Sequence, residues 1–447
     1  MKNTMTNQVF SPSRRVLLAG LGGVALASGL RLPAFAQGKA LAQAGAALSL
    51  RARPATVTLG AGLPQSQIWA LEAANAGPLR FAKGDLAVTL SNELPAPIVL
   101  NWLGIDGAQA ASALTGQAPV PPGGRTSFAL VLRQPGTFLV NGQLLGEASG
   151  RPTATRALIV EDSPPVAVDR DEVLLIEEWR QKADGSAIAP GTNPDGTTVA
   201  YTINGQPNLD ITAKANERLR LRFINGCARS PLGLRIENHD VRVMAIDGAP
   251  AEPFAARDGQ LVLAPGSRID AFLDATRAPG TVSQVILHDG TAPRTIARLV
   301  MSNDAPVRAA PLPPAAALPS TNLPARLDLQ GALRTDLSLD PNAQWIAPSK
   351  FDAATAPTYR AKRGRTVVMA ITNPTAAPMV FRLHGHHFRL LDRLDDGWKP
   401  FWLDTLMMDK GQTQRIAFAA EHAGRWLMES TGLNWAAPKL VRCYDVS

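Results

Sequence analysis

Two of the 447 residues are cysteine and six are histidine. Cys227 and Cys443 stand far apart without a CxxC spacing, which excludes a cysteine-based zinc ribbon. Their positions do not argue for a disulfide, although an oxidising compartment would permit one; two separate buried thiols are the simpler expectation. Blocks of Lys and Arg interleaved with aromatics are also missing, and aromatics make up only 5% of the chain. Nucleic acid is therefore not an expected partner. Beyond the first 36 residues no stretch is long and apolar enough to cross a bilayer.

Those first residues read as a targeting segment. Ser13-Arg14-Arg15-Val16 puts paired arginines ahead of an apolar run from Val16 to Leu30, and Ala34-Phe35-Ala36 supplies a small-x-small cleavage pattern. Gly20, Gly22, Gly23, Gly29 and Arg31 interrupt a run already short for a membrane span. Residues 1–36 are thus expected to be a cleaved twin-arginine (Tat) signal, with a mature start near Gln37 and a soluble periplasmic product. Its removal takes away Lys2, Arg14, Arg15 and Arg31 and no acid, so the formal charge of +8 falls to about +4. That is mild for so long a chain.

The remainder reads as strands and turns. Leu86-Ala87-Val88-Thr89-Leu90, Arg218-Leu219-Arg220-Leu221-Arg222-Phe223 and Thr366-Val367-Val368-Met369-Ala370 alternate with period two, as half-buried strands do. With 37 glycines and 36 prolines as punctuation, the class is all-β and the unit a sandwich. A loose phrase occurs three times. A lead strand is followed by an Asn-containing turn (Asn92, Asn225, Asn373) and later by Pro122-Gly123, Pro265-Gly266 or Lys410-Gly411. Three copies of one Greek-key sandwich follow, with boundaries expected at 37–165, 166–303 and 325–447. The Pro/Ala-rich residues 304–324 form an extended linker before the third.

Four segments then stand out in order: Asn101-Trp102-Leu103-Gly104; Gly136-Thr137-Phe138-Leu139-Val140-Asn141-Gly142-Gln143; Met379-Val380-Phe381-Arg382-Leu383-His384-Gly385-His386-His387-Phe388; and Gly424 to Thr431 with Trp435 and Leu440 beyond. Together with Ile246-Asp247-Gly248, Ser267-Arg268-Ile269-Asp270 and Trp402-Leu403-Asp404-Thr405, the set resembles the copper-binding segments and scaffold words of the multicopper oxidases. The resemblance implies three consecutive cupredoxin-like domains.

Its ligand positions are mostly replaced. Where the family has the histidines of its oxygen-reducing copper cluster, this chain carries Asn101, Leu103, Asn141, Gln143, Arg382, His384, Glu429 and Thr431. Where it has the mononuclear copper ligands, this chain carries Met379, Ser430, Trp435 and Leu440. Blue copper needs a thiolate; a serine does not supply one, and an indole N–H has no lone pair for a metal. Six histidines in total are too few for four copper centres. The expectation is therefore no catalytic residue and no copper. Arg382 would pair with Glu429 between the first and third domains, and Met379, Met428, Trp435 and Leu440 would form an apolar plug.

Two alternatives stay open. His384 and His386 share a face if the strand continues, and with Glu429 they could hold a single Zn or Cu. A polar pocket beside Arg382 could instead take a small-molecule anion. His239, His288 and His422 read as isolated surface or turn residues. A copper-free member with a Tat signal resembles the periplasmic, division-associated SufI/FtsP type, which implies a protein partner in the cell envelope.

Overall fold

Three buried asparagines close equivalent turns in three successive β-sandwiches. Asn92 Nδ2 donates to Ala96 O and Val120 O, both at 2.9 Å, while its Oδ1 accepts from Leu94 N. Asn225 donates to Ser230 O and Leu263 O at 3.0 Å and accepts from Cys227 N. Asn373 donates to Ala377 O at 2.8 Å and to Met408 O, and accepts from Thr375 N. One side chain thus ties its own turn to the backbone of a second segment. The computed structural model describes residues 45–60, 64–145, 150–392, 397 and 399–447; the export signal expected over residues 1–36 lies outside them.

The strand pairing repeats as well. Each sandwich runs a first strand parallel to the one that leads into the turn asparagine: Ala46–Val57 with Gly84–Asn92, Arg170–Lys182 with Arg218–Asn225, and Leu333–Ser338 with Thr366–Thr372. In each facing sheet a short strand runs parallel to the last: Leu79–Phe81 with Arg156–Val160, Leu209–Ala213 with Pro293–Met301, and Arg360–Ala361 with Lys439–Val446. Six sheets result among the described residues, stacked in pairs over three separate apolar cores. The fold is all-β with three cupredoxin-like sandwiches.

Apolar seams join them. Leu103 and Leu139 of the first sandwich meet Val173, Leu175 and Ile224 of the second. Val99, Ala113 and Leu144 meet Leu427 and Val441 of the third. The seams correct one reading, because Arg218–Asn225 is not half-buried: all eight residues are buried. Leu219, Leu221 and Phe223 enter the core of the second sandwich, while the arginines between them meet acids in the seams. Arg222 holds Asp171 at 2.7 Å and Thr137 Oγ1 at 2.8 Å, and Arg220 holds Asp270 at 2.6 Å. Alternation marks two faces, and here a second body covers the charged one.

Residues 304–324 carry no strand, yet they are not a loose tether. Arg218 Nη2 donates to Pro313 O at 2.8 Å, Asn216 Nδ2 to Arg308 O at 2.8 Å, and Leu318 packs with Met244 and Phe272. Both cysteines are free and buried.

Candidate functional site

The strand Met379–Leu383 lies between Thr405–Met408 and Gly424–Gly432, with Lys439–Val446 next. Alternation sends Met379, Phe381 and Leu383 into the third core together with Met428. The opposite face carries Arg382 and, across the ladder, Glu429. Thr431 and Lys439 pair one step along. This face meets the other two sandwiches.

Arg382 Nη1 lies 3.0 Å from Glu429 Oε2. Asn101 Nδ2, from the first sandwich, donates to Glu429 Oε1 at 2.8 Å, and His384 Nε2 lies 2.7 Å from the same oxygen. Lys439 Nζ lies 3.8 Å from Oε2. Arg382 reaches further than the expected two-domain contact, because its Nη2 donates to Pro265 O of the middle sandwich at 2.8 Å. Gly266 makes that approach possible: with φ at +84°, an added Cβ would stand 2.2 Å from Arg382 Nη2. Burial opposes ionisation of Glu429, but Lys439, Arg382 and the His384 bond hold its carboxyl well below the usual range.

The remaining positions split. Asn141 Oδ1 accepts from Gln143 N at 3.3 Å, and Gln143 Nε2 donates to Thr153 O at 2.7 Å. With Leu103, Thr431, Arg382 and Lys439 they line a cavity of about 20 Å³. Met379 and Leu440 pack in the third core, and Ser430 stands fully buried with no partner for its hydroxyl among the described residues. Trp435 does not join that plug. Its Nε1 donates to Ala189 O at 3.1 Å and Arg180 covers its ring, so it clasps the middle sandwich.

The histidine cluster is dispersed. The strand ends at Leu383, and Gly385 turns the chain at φ +80°, so His384 and His386 no longer share a face. His386 Nδ1 lies 2.8 Å from Tyr444 Oη, and its Nε2 accepts from His422 N at 3.2 Å. Both its nitrogens are engaged away from Glu429, and burial pushes it down to about 3. His239 and His422 both sit at bends, as expected of turn residues, but His239 is buried and His422 is not isolated, since it stacks on the His386 ring with 5.1 Å between centroids.

His387 belongs to a junction that the sequence reading missed as a site. Its Nδ1 lies 2.6 Å from Asp106 Oδ2 of the first sandwich and its Nε2 2.8 Å from Asp247 O of the second. Fully buried Arg268 donates to Asp404 Oδ2 at 2.6 Å, Asp247 O at 2.7 Å, Gly266 O at 2.9 Å and Thr137 O at 3.2 Å. All three sandwiches meet in one buried ion network. Burial and the Asp404 charge push Asp247 up to about 6. Arg268 outweighs burial at Asp404 and holds it low. Asp247, Arg268 and Asp404 were legible as scaffold words, although their ionic role was not. Lys439 was missed beside Leu440, although alternation puts it on the Glu429 side.

A pH dependence follows. Burial opposes a charged His387, but Asp106 overcomes it and pushes the ring up to about 9. The unfolded value is about 6.5. The contribution is therefore complete below about pH 6.5 and lost as pH rises through about 9. The expected loss is about 3 kcal/mol, read from urea midpoints across that range. His387→Asn should flatten this part of the slope, and an unchanged slope would overturn the assignment.

Comparison with known proteins agrees with this fold. Two family models described as multicopper oxidase match residues 170–297 and 321–446. Laccase-7 from Arabidopsis thaliana is 28% identical over 307 residues, covering 63% of this chain and 49% of that protein. Over this match the chain spans about half the length of that relative. Multicopper oxidase MmcO from Mycobacterium tuberculosis is 23% identical over 410 residues, covering 79% of this chain and 78% of its own. Among solved structures, a multi-copper oxidase from Pseudomonas thermotolerans superposes with a TM-score of 0.74 at 23% identity, over 90% of this chain and 99% of that one. Lac15 from a marine microbial metagenome gives 0.73 at 22%, over 90% and 100%. The two family models together cover more than half of the sequence, and the chain belongs to the multicopper oxidase family.

Proposed function

We propose that this chain is a copper-free family member acting as a non-catalytic scaffold or interaction protein of the bacterial periplasm. One observation carries the reading. Where the sequence resembles the ligands of an oxygen-reducing copper cluster, a buried carboxylate, Glu429, is shared by Arg382, Lys439, His384 and Asn101. The donor chemistry supports it. Ser430 stands at the thiolate position, and Cys443, on the adjacent strand Lys439–Val446, has its Sγ 3.8 Å from the Thr355 carbonyl. Among the described residues no three His, Cys, Asp or Glu side chains converge to hold an ion. The residues present do not fit the four-copper arrangement. The partner is an envelope protein, by resemblance to the division-associated type.

The test is copper loading of the purified protein, followed by elemental analysis, absorption spectroscopy and assays with phenols and Cu(I). The expected result is less than one copper per chain, no intense red absorption and no oxidation. Stoichiometric copper with oxidase activity would overturn the proposal, whereas one tightly held Zn or Cu without oxidation would favour a single-metal role.

Export is tested separately. Arg14→Lys with Arg15→Lys should leave an uncleaved precursor in the cytoplasm. Normal periplasmic accumulation of that variant would mean another route.

A further inference from the structure

A cavity of about 270 Å³ lies between the middle sandwich and the Pro/Ala-rich segment 304–324. Pro311, Pro313 and Pro314 lack the N–H that would let this segment pair as a strand, so it crosses the sheet as a strap. Two anchors hold it. Arg218 Nη2 donates to Leu312 O at 3.3 Å and to Pro313 O at 2.8 Å, and Leu318 packs with Met244 and Phe272. Between the anchors Pro314 and Ala315 line the gap. On the sheet side Ala255, Arg242 and Phe272 stand opposite one another on three adjacent strands, so their side chains share a face. The charges around the cavity differ in how they are engaged. Arg218 and Asp274 hold each other at 2.6 and 2.8 Å, and Arg277 Nε donates to Asn238 O. Arg242 and Asp240, two residues apart, make no side-chain hydrogen bond or ion pair among the described residues.

We infer that this cavity binds a zwitterionic α-amino acid with an apolar side chain, its carboxylate on Arg242 and its ammonium on Asp240. A simple anion would face the Asp240 carboxylate, and a simple cation would face the guanidinium groups of Arg242 and Arg277. A zwitterion answers both signs. The guanidinium offers a carboxylate two parallel N–H donors. The apolar side chain leaves water for Phe272 on the sheet side and for Leu312, Pro314 and Ala315 on the strap. Size sets the limit. At about 270 Å³ the cavity falls just below the range of sites for drug-sized ligands, which suits one amino acid and excludes a nucleotide. The site lies apart from the positions that resemble copper ligands, and the inference does not depend on the copper-free reading.

Calorimetry and saturation-transfer NMR of the purified protein with L-leucine and L-phenylalanine test it. Both amino acids are expected to bind. N-acetyl-leucine lacks the ammonium and leucinamide lacks the carboxylate, so each should bind more weakly than leucine by about tenfold or more. Arg242→Gln and Asp240→Asn should each lower the affinity for leucine by about tenfold or more. Neither change should move the melting temperature, because neither side chain bonds another described residue. No binding of either amino acid at about 10 mM overturns the inference, as does a leucine affinity that either variant leaves intact. N-acetyl-leucine bound as tightly as leucine would also overturn it, since that result marks a simple anion site.

Discussion

Glu429→Gln should destabilise the protein by about 3–5 kcal/mol. The substitution leaves Arg382 and Lys439 buried without their carboxylate. Arg382→Met should cost less, because Lys439 still stands 3.8 Å from Glu429 and the ionic balance moves to that pair. Arg382→Met with Glu429→Gln should cost less than the two single losses added together, by about 1–3 kcal/mol of coupling. Urea midpoints of the four proteins give the cycle. Additive losses would mean that Arg382 acts through Pro265 and Thr405 alone, and not through the carboxylate.

The second large effect lies at Arg268. One guanidinium serves Asp404, Asp247 O, Gly266 O and Thr137 O, spanning all three sandwiches. Arg268→Met should cost about 5 kcal/mol, at the top of the range for single substitutions, and cut the yield of folded protein. Two buried carboxylates would then face each other with only the His387 imidazolium nearby. Arg268→Lys should recover little, since a point charge cannot serve this fork of acceptors. Asp247→Asn is the matched control. Its carboxyl is pushed up to about 6, so its ionisation opposes folding at pH 7 and removing the charge should cost nothing or stabilise. It should also flatten the decline in stability between about pH 4 and 6 that a raised carboxyl value brings. Wild-type stability in Arg268→Met would refute the hub.

The fold was legible because its determinants are local and repeated. A turn asparagine, a Pro-Gly or Lys-Gly turn and period-two strands recur in each third of the chain. The Arg382–Glu429 contact was legible from two segments whose positions resemble ligands of one cluster. What escaped lies between sandwiches. Arg220 and Arg222 looked solvent-facing because alternation cannot tell water from a neighbouring sandwich that carries Asp162 and Thr137. His386 was given a false neighbour because strand geometry was carried through Gly385, where the backbone leaves the extended region. Trp435 follows the last paired residue of its strand, Gly432, and a side chain beyond a strand end is free to choose a partner that register does not predict.

The fully buried arginine shared by three bodies also bears on how the molecule comes apart. Lifting any one sandwich away would expose half of a charge network in a cleft not yet wide enough for full hydration. Such partial openings are therefore high in free energy. Amide hydrogens of Met379–Leu383, Arg218–Asn225 and Gly136–Asn141 should then exchange through one common event, with similar protection, despite belonging to three separate cores. In exchange terms the three sandwiches behave as a single foldon.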